Sequence, residues 1–147
     1  MRTERTVINV PQNIIKYFAD DGTEFKTEEE CLSYEKSIKF NLWKNVAHLL
    51  KEIKDKQNLD FILDGDRTEL NYYTVIFSSD EEIKAFCEYV KDLNTFCNSK
   101  KQFYISFEEL EKNKKYIFAE NKYFSFITSK EKVLTFIENT FRKIEEE

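Results

Sequence analysis

The apolar positions near the N-terminus alternate in the manner of strands. Residues 14–19 and 23–25 flank Asp21-Gly22, and this dipeptide strongly favours a tight hairpin turn. The pattern therefore predicts two antiparallel strands joined at Asp21-Gly22. A short apolar run at residues 7–10 predicts a further strand. Pro11 ends that run, and a proline suits the edge of a sheet because it has no backbone donor.

A helical pattern replaces the alternation after the hairpin. Thr27 and Glu30 have the spacing of a capping box, in which each side chain bonds the other residue's backbone N–H. Apolar residues then recur at intervals of three and four, which predicts one long helix reaching Lys56. This stripe consists of Cys31, Tyr34, Ile38, Leu42, Val46, Leu49 and Ile53. A break within residues 37–41 is an alternative, because several modest helix formers cluster there.

Shorter elements follow in the middle of the chain. Residues 71–77 carry apolar or aromatic side chains at consecutive positions, which is typical of a central strand covered on both faces. Ser79 and Glu82 form a second capping box, and the amphipathic helix behind it is expected to end near Asn94. Residues 102–107 are predicted to form another strand.

The last third of the chain repeats these signals. Ser106 and Glu109 form a third capping box, and two aromatic strands are expected within residues 115–119 and 122–128. A final helix, capped by Thr128 and Glu131, is predicted to carry its apolar residues on one face. Those residues are Leu134, Ile137, Phe141 and Ile144.

The mixed order of strands and helices predicts an α+β fold. We expect a mainly antiparallel sheet of short strands, with about three helices, one of them long, packed on one face. Residues 1–147 are interpreted as a single domain. Within it, residues 1–35 form a module of a hairpin and a helix start, and residues 142–147 form an acidic tail that frays.

The composition excludes several classes of protein. Two glycines and one proline in 147 residues argue against a β-sandwich and against a glycine-rich phosphate loop. The net charge of −5 makes direct nucleic-acid binding unlikely. No apolar stretch is long enough for a transmembrane helix, and the N-terminus lacks the apolar core of a signal peptide. Three cysteines without a close pair favour a reducing, cytoplasmic location.

The residues that chemistry would require are sparse. His48 is the only histidine, so neither a hydrolytic triad nor a zinc site has support. Asp60, Asp64, Asp66 and Glu69 crowd one loop, but their spacing misses the calcium-loop pattern. We therefore expect no catalytic residue, no metal and no cofactor. The enzymatic alternative is a metal-dependent hydrolase that uses the carboxylates of Asp64 and Asp66.

A dense group of carboxylates is the best candidate for a binding site. We call it the acidic surface: Asp20, Asp21, Glu24, Glu28, Glu29 and Glu30. The helix dipole favours carboxylates in a first helical turn, which accounts for the last three without any partner. The hairpin carboxylates lack that explanation. A turn and a helix start that jointly present negative charge predict a protein partner with a basic surface.

Two other groups give alternative interpretations. Phe40 and Trp43 stand beside the main helical stripe and indicate either self-association or core packing. Lysines interleave with aromatics in residues 99–123, a pattern that strand alternation also explains. With Arg67, the residues Lys114, Lys115 and Tyr116 offer phosphate and base contacts. They support an alternative function, an oligomeric sponge that sequesters a signalling nucleotide.

The N-terminal module also resembles a known group of sequences. The residues that carry the resemblance are Tyr17, Ala19, Asp21-Gly22, Phe25, Thr27, Glu30-Cys31 and Tyr34-Glu35. Over about 20 of the 147 residues they are similar to an N-terminal module of small, uncharacterised bacteriophage proteins. The resemblance implies a viral origin and a role in the bacterial cytoplasm of the host. It favours a non-enzymatic protein that inhibits a bacterial defence (anti-CRISPR or other anti-defence) or a host component through the acidic surface.

Overall fold

The computed structural model describes residues 1–8, 12–64 and 69–147 of the chain. It has the predicted α+β class, with antiparallel strands. The packing divides the chain into two compact units, Met1–Asn45 and Val46–Glu147, which we call the N-terminal and C-terminal units.

The N-terminal unit contains the predicted hairpin and helix start. Its antiparallel sheet has the order β1 (Arg2–Ile8), β2 (Gln12–Phe18) and β3 (Glu24–Phe25), followed by α1 (Glu28–Glu35) and α2 (Ile38–Val46). Gly22 adopts a φ of +90°, which glycine reaches without steric cost. Across the turn, the Ala19 N–H donates to the Thr23 carbonyl at 2.9 Å. The predicted hairpin is therefore confirmed.

The predicted long helix is wrong. Thr27 caps α1 as expected, its Oγ1 accepting from the Glu30 N–H at 3.2 Å, but α1 ends at Glu35. Ser37 then accepts the Phe40 N–H through its own hydroxyl at 3.2 Å, so it starts a second helix. Beyond α2 the chain forms one 3₁₀ turn, Ala47–Leu49, and then enters a strand instead of reaching Lys56 as a helix.

A small core holds the N-terminal unit together. It is built on the buried residues Ala19, Cys31 and Phe40, which come from the hairpin and from both helices. Partly buried side chains surround them, namely Tyr17, Phe25, Tyr34 and Trp43. Neighbouring ring centroids in this set lie 5.1–6.0 Å apart, the usual separation of packed aromatic rings.

The C-terminal unit is built on a second antiparallel sheet. Its strands have the order β4 (Lys51–Glu52), β5 (Asn71–Ile76), β6 (Lys115–Glu120) and β7 (Ser125–Thr128). Its helices are α3 (Gln57–Leu59), which runs into a π-helical turn at Asp60–Asp64, then α4 (Asp80–Asp92), a 3₁₀ turn at Phe107–Glu109, and α5 (Lys130–Glu146). The described residues thus contain five α-helices and two sheets, instead of about three helices and one sheet.

Both faces of the second sheet are covered, as predicted for β5. Phe118 of β6 packs against Phe86 of α4, with ring centroids 5.2 Å apart. Ala119, the next residue, points to the opposite face, where it joins a cluster around Phe103. Phe136 of α5 also packs against Phe103, at 5.6 Å. Helices therefore lie on both faces of this sheet, and not on one.

Three further expectations change in the C-terminal unit. Residues 102–107 form no strand and instead run as an irregular segment into the 3₁₀ turn. Ser129, and not Thr128, caps α5, by accepting from the Lys132 N–H. The helix continues to Glu146, so most of the tail that was expected to fray is helical. Pro11, Asp66 and Arg67, which earlier predictions used, lie outside the described residues.

Candidate functional site

All members of the acidic surface lie in the N-terminal unit. Asp20 and Asp21 occupy the hairpin turn, Glu24 begins β3, and Glu28, Glu29 and Glu30 form the first turn of α1. Every member except Asp21 is exposed. Between residues 20 and 35 there are seven carboxylates and one lysine, which gives this segment a net charge of −6.

The hairpin carboxylates have structural contacts of their own. The pairs are Asp20 Oδ1 with the Met1 amino group at 2.9 Å, Asp21 Oδ2 with the Tyr34 hydroxyl at 2.7 Å, and Glu24 Oε1 with Lys16 Nζ at 3.2 Å. Asp21 also accepts from the Thr23 N–H at 3.0 Å, as aspartate commonly does in turns. The Asp21 contact with Tyr34 ties the turn to α1, and the contacts together explain the hairpin carboxylates without a partner.

The glutamates at the start of α1 are placed differently. Glu35, at the other end of the helix, accepts from the Asp20 N–H at 3.2 Å, so that end lies beside the hairpin turn. An eight-residue helix is about 10 Å long from first to last residue. The acidic surface is therefore an edge along α1. Among the described residues, no cation lies within ion-pairing distance of Glu28 or Glu29.

The alternative nucleotide site has a cavity, but two of its three described residues are already engaged by Glu111. Lys114, Lys115 and Tyr116 border a cavity of about 680 Å³ in the C-terminal unit. Tyr116 is only 2% exposed, and its hydroxyl accepts from the Glu111 N–H at 2.8 Å, so its ring offers no face for a base. Lys114 lies 2.8 Å from the Glu111 carboxylate, which raises the pKa of Lys114. Four lysines and four glutamates line the cavity, so its charge is balanced.

Phe40 and Trp43 have a packing role within the N-terminal unit. Phe40 is 5% exposed and belongs to the core cluster. Its ring lies 6.0 Å from that of Tyr34 and 5.6 Å from that of Trp43. Core packing, one of the two interpretations of this pair, thus describes Phe40.

A partly buried carboxylate in the C-terminal unit could not be recognised from the sequence. Glu120, at the end of β6, accepts from the Tyr89 hydroxyl of α4 at 3.3 Å. Burial raises the pKa of Glu120, while hydrogen bonds from Tyr89 and Tyr73 oppose the shift. Burial also raises the pKa of Tyr73 to about 12, with smaller contributions from Glu120 and Glu52. These residues come from separate elements, so no sequence spacing relates them.

Glu120 leads to a pH-dependent prediction. Since its folded-state pKa lies above the ordinary value of 4.5, the folded protein binds more protons than the unfolded chain as the pH rises through that window. Stability is therefore lost from about pH 4.5 up to the folded-state pKa. We expect Glu120→Gln, which keeps an acceptor for Tyr89, to stabilise the protein at pH 7 and to have little effect at pH 4. Urea unfolding across this range tests it, with the exposed Glu88→Gln as the control. A constant difference between Glu120→Gln and the wild type at every pH would contradict the assignment.

The apolar face of α5 is also not where the sequence implies. Helical apolar stripes usually face a core, yet Leu134, Ile137, Phe141 and Ile144 are all exposed. Val133 and Phe136 contact the core instead. The apolar pattern of α5 predicts that these residues share one face of the helix, but it does not predict whether that face lies in the core or on the surface.

His48 and the metal-ligating side chains bear on chemistry, and the helices bear on membrane contact. His48 is exposed, with its Nε2 3.7 Å from the Glu82 carboxylate. The described part of the chain contains no cluster of three or more histidine, cysteine, aspartate or glutamate side chains that could hold a metal ion; the Asp64 side chain and Asp66 lie outside it. Within the described ranges, no helix combines the length and apolar character that crossing a bilayer requires.

Comparisons with known proteins complete the description of the site. Models of protein families, curated proteins and solved structures give no match to this chain. Its function must therefore be inferred from its own surfaces.

Proposed function

We propose that the chain is a non-enzymatic, phage-encoded binding protein that inhibits a host or defence-system protein. Its acidic surface meets a basic surface on that target. One observation carries the proposal: Glu28, Glu29 and Glu30 stand exposed at the start of α1, within a segment of net charge −6. The resemblance of the N-terminal module to small bacteriophage proteins supports a bacterial target.

The proposed mechanism is electrostatic attraction followed by occlusion of the basic surface. Exposed carboxylates along one edge steer a positively charged protein toward that edge and raise the association rate at low salt. The hairpin turn is kept beside α1 by the Asp21 carboxylate, which accepts from the Tyr34 hydroxyl, and by the Asp20 N–H, which donates to the Glu35 carboxylate. Glu28 and Glu29 remain available for lysine or arginine side chains of the target.

A pair of matched double variants tests this assignment. We expect Glu28→Gln with Glu29→Gln to reduce capture of a basic protein from bacterial lysate by about tenfold, on the order of 1.4 kcal/mol. Asp80→Asn with Glu81→Gln is the control, because it removes two exposed carboxylates from the first turn of α4 instead. Both changes weaken the interaction with a helix dipole similarly, by about 0.3–1 kcal/mol per residue. The control also loses the exposed Asp80–Lys112 ion pair at 3.6 Å, which contributes little at a surface, so the target contact is the main difference.

Quantitative mass spectrometry of the captured proteins and of released small molecules gives the readout. Support requires a basic protein that is retained by the wild type and the α4 control, and lost both at higher salt and with the α1 variant. Equal capture by both variants would contradict the assignment of the surface. Recovery of a nucleotide without a protein would replace the proposal with the sponge.

A further inference from the structure

Helix α5 packs only some of its apolar residues inside the C-terminal unit. Phe136 packs against Phe103, with ring centroids 5.6 Å apart, and Val133 packs against the cluster around the same residue. These contacts fix one side of the helix against the sheet. The remaining apolar residues lie farther around the helix.

Four of them form what we call the outer face. The outer face consists of Leu134, Ile137, Phe141 and Ile144, which are 47%, 38%, 61% and 59% exposed. Their spacings of three, four and three residues are those of the seam along which two helices pack. An exposed apolar stripe of this kind usually marks an interaction site.

Charge lines one side of this stripe. Glu131, Glu138 and Glu145 follow each other at intervals of seven residues, so they lie on the same flank, and all three are exposed. Val133 and Thr140 occupy the opposite flank, toward the sheet. Two cations near this flank already have partners: Arg142 bonds Asn139, and Lys114, whose pKa Glu131 helps to raise, pairs with Glu111 at 2.8 Å.

The last turn of α5 adds to the negative charge. Glu145 and Glu146 share the last turn of the helix with one cation, Lys143, and the helix dipole disfavours negative charge there. Cations supplied by a partner would relieve this repulsion. The glutamate flank and the last turn of α5 thus both favour a partner that supplies positive charge.

The same charges distinguish between two candidates for packing on the outer face: a second copy of this chain and a different protein. If two copies pair their outer faces in antiparallel fashion, the flank of Glu131, Glu138 and Glu145 faces its own equivalent and repels it. In parallel pairing that flank faces Val133 and Thr140, which offer no cation. Neither arrangement of two copies gains an ion pair. A helix with lysine or arginine beside an apolar stripe gains one at each glutamate.

We propose that the outer face of α5 is a docking site for a basic amphipathic helix of another protein. The partner's apolar stripe packs on Leu134, Ile137, Phe141 and Ile144, and its flanking cations pair with Glu131, Glu138 and Glu145. This helix-in-groove mode places specificity in the charged flank. The inference goes beyond the proposed function, because it concerns a different unit and does not depend on the acidic surface.

Two synthetic peptides of three heptads test the inference. Both carry leucine at the seam positions, and they differ only in having lysine or glutamate on the flanks. Isothermal titration with the full chain is expected to show at least tenfold tighter binding of the lysine peptide. Glu138→Lys with Glu145→Lys should reverse this preference. These two positions are exposed, so the reversal is measurable without disturbing the core.

A second pair of variants tests the apolar contact. Phe141→Ser with Ile144→Ser is expected to weaken binding of the lysine peptide at least tenfold. Phe61→Ser with Ile62→Ser, which changes an equally exposed apolar pair elsewhere, should leave it unchanged. Equal affinity for both peptides, or no binding of either, would overturn the proposal. Concentration-dependent dimers that disappear in Phe141→Ser with Ile144→Ser would also overturn it, by making a second copy the occupant.

Discussion

Replacing Phe86 with alanine is expected to lower the free energy of unfolding by about 3–5 kcal/mol. Phe86 is 0% exposed, at the contact between α4 and the sheet. Its ring centroid lies 5.3 Å from that of Phe77, 5.2 Å from that of Phe118 and 6.4 Å from that of Phe96. Alanine would leave a cavity bordered by three rings, which cannot all move inward to fill it.

The expected loss of stability in Phe86→Ala is large compared with the total stability of a domain. Domains are usually stable by about 5–15 kcal/mol, so the change removes a large part of the total. Urea unfolding followed by circular dichroism measures it. The control is Phe61→Ala, the same substitution at a side chain that is 79% exposed, which should change the stability by less than about 0.5 kcal/mol. Similar midpoints for the two variants would refute the assignment of Phe86 to the core.

Replacing Thr128 with valine is expected to cost about 1–3 kcal/mol. The buried Thr128 hydroxyl donates to the Phe103 carbonyl at 2.6 Å, and so ties an irregular segment to β7. Valine has nearly the same shape but no donor, so that carbonyl would lose its bond with Thr128 in a buried place. The loss should also loosen the segment near Ile105, whose N–H donates to the Ile127 carbonyl at 2.9 Å.

Serine at the same position separates the hydrogen bond from the packing. Thr128→Ser keeps the hydroxyl and loses one methyl group, which costs about 1 kcal/mol. We therefore expect valine to destabilise the protein more than serine, as judged by thermal unfolding. The opposite order would show that the methyl group of Thr128, and not its hydroxyl, holds this segment.

Local signals explain why much of the fold is predictable from the sequence. The hairpin at Asp21-Gly22 and the caps at Thr27, Ser79 and Ser106 depend on residues within four positions of each other. Such interactions form in the same way in most tertiary surroundings. The strands β5, β6 and β7 also follow from their apolar patterns, since both faces of their sheet are covered.

One difference from the predicted elements is local: the apolar pattern continues across Ser37, but the Ser37 hydroxyl accepts from the Phe40 N–H and starts a new helix. Tertiary contacts explain the others. Residues 102–107 have the composition of a strand, yet Thr128 and β7 hold them in an irregular path. The Thr128 hydroxyl is therefore engaged by the Phe103 carbonyl. Ser129, the next residue, caps α5 instead. Periodicity reports which residues share a face, and not what covers that face.

The same distinction applies to the candidate surfaces. The sequence identifies all members of the acidic surface but cannot separate Asp21, which bonds Tyr34, from Glu28 and Glu29. Lys114 and Tyr116 lie close together in the sequence and border the same cavity. Glu111, however, already contacts both side chains. Hydrogen bonds and ion pairs such as these depend on side-chain geometry that no sequence pattern encodes.

The association rate with the captured target, measured against ionic strength, tests the central proposal most directly. Stopped-flow mixing of the purified proteins compares the wild type with Glu28→Gln/Glu29→Gln and with the control Asp80→Asn/Glu81→Gln. If the acidic surface steers binding, the wild-type and control rates fall steeply with added salt, whereas the α1 variant is slower at low salt and changes less. Rates that are equal for all three proteins, or insensitive to salt, would contradict it.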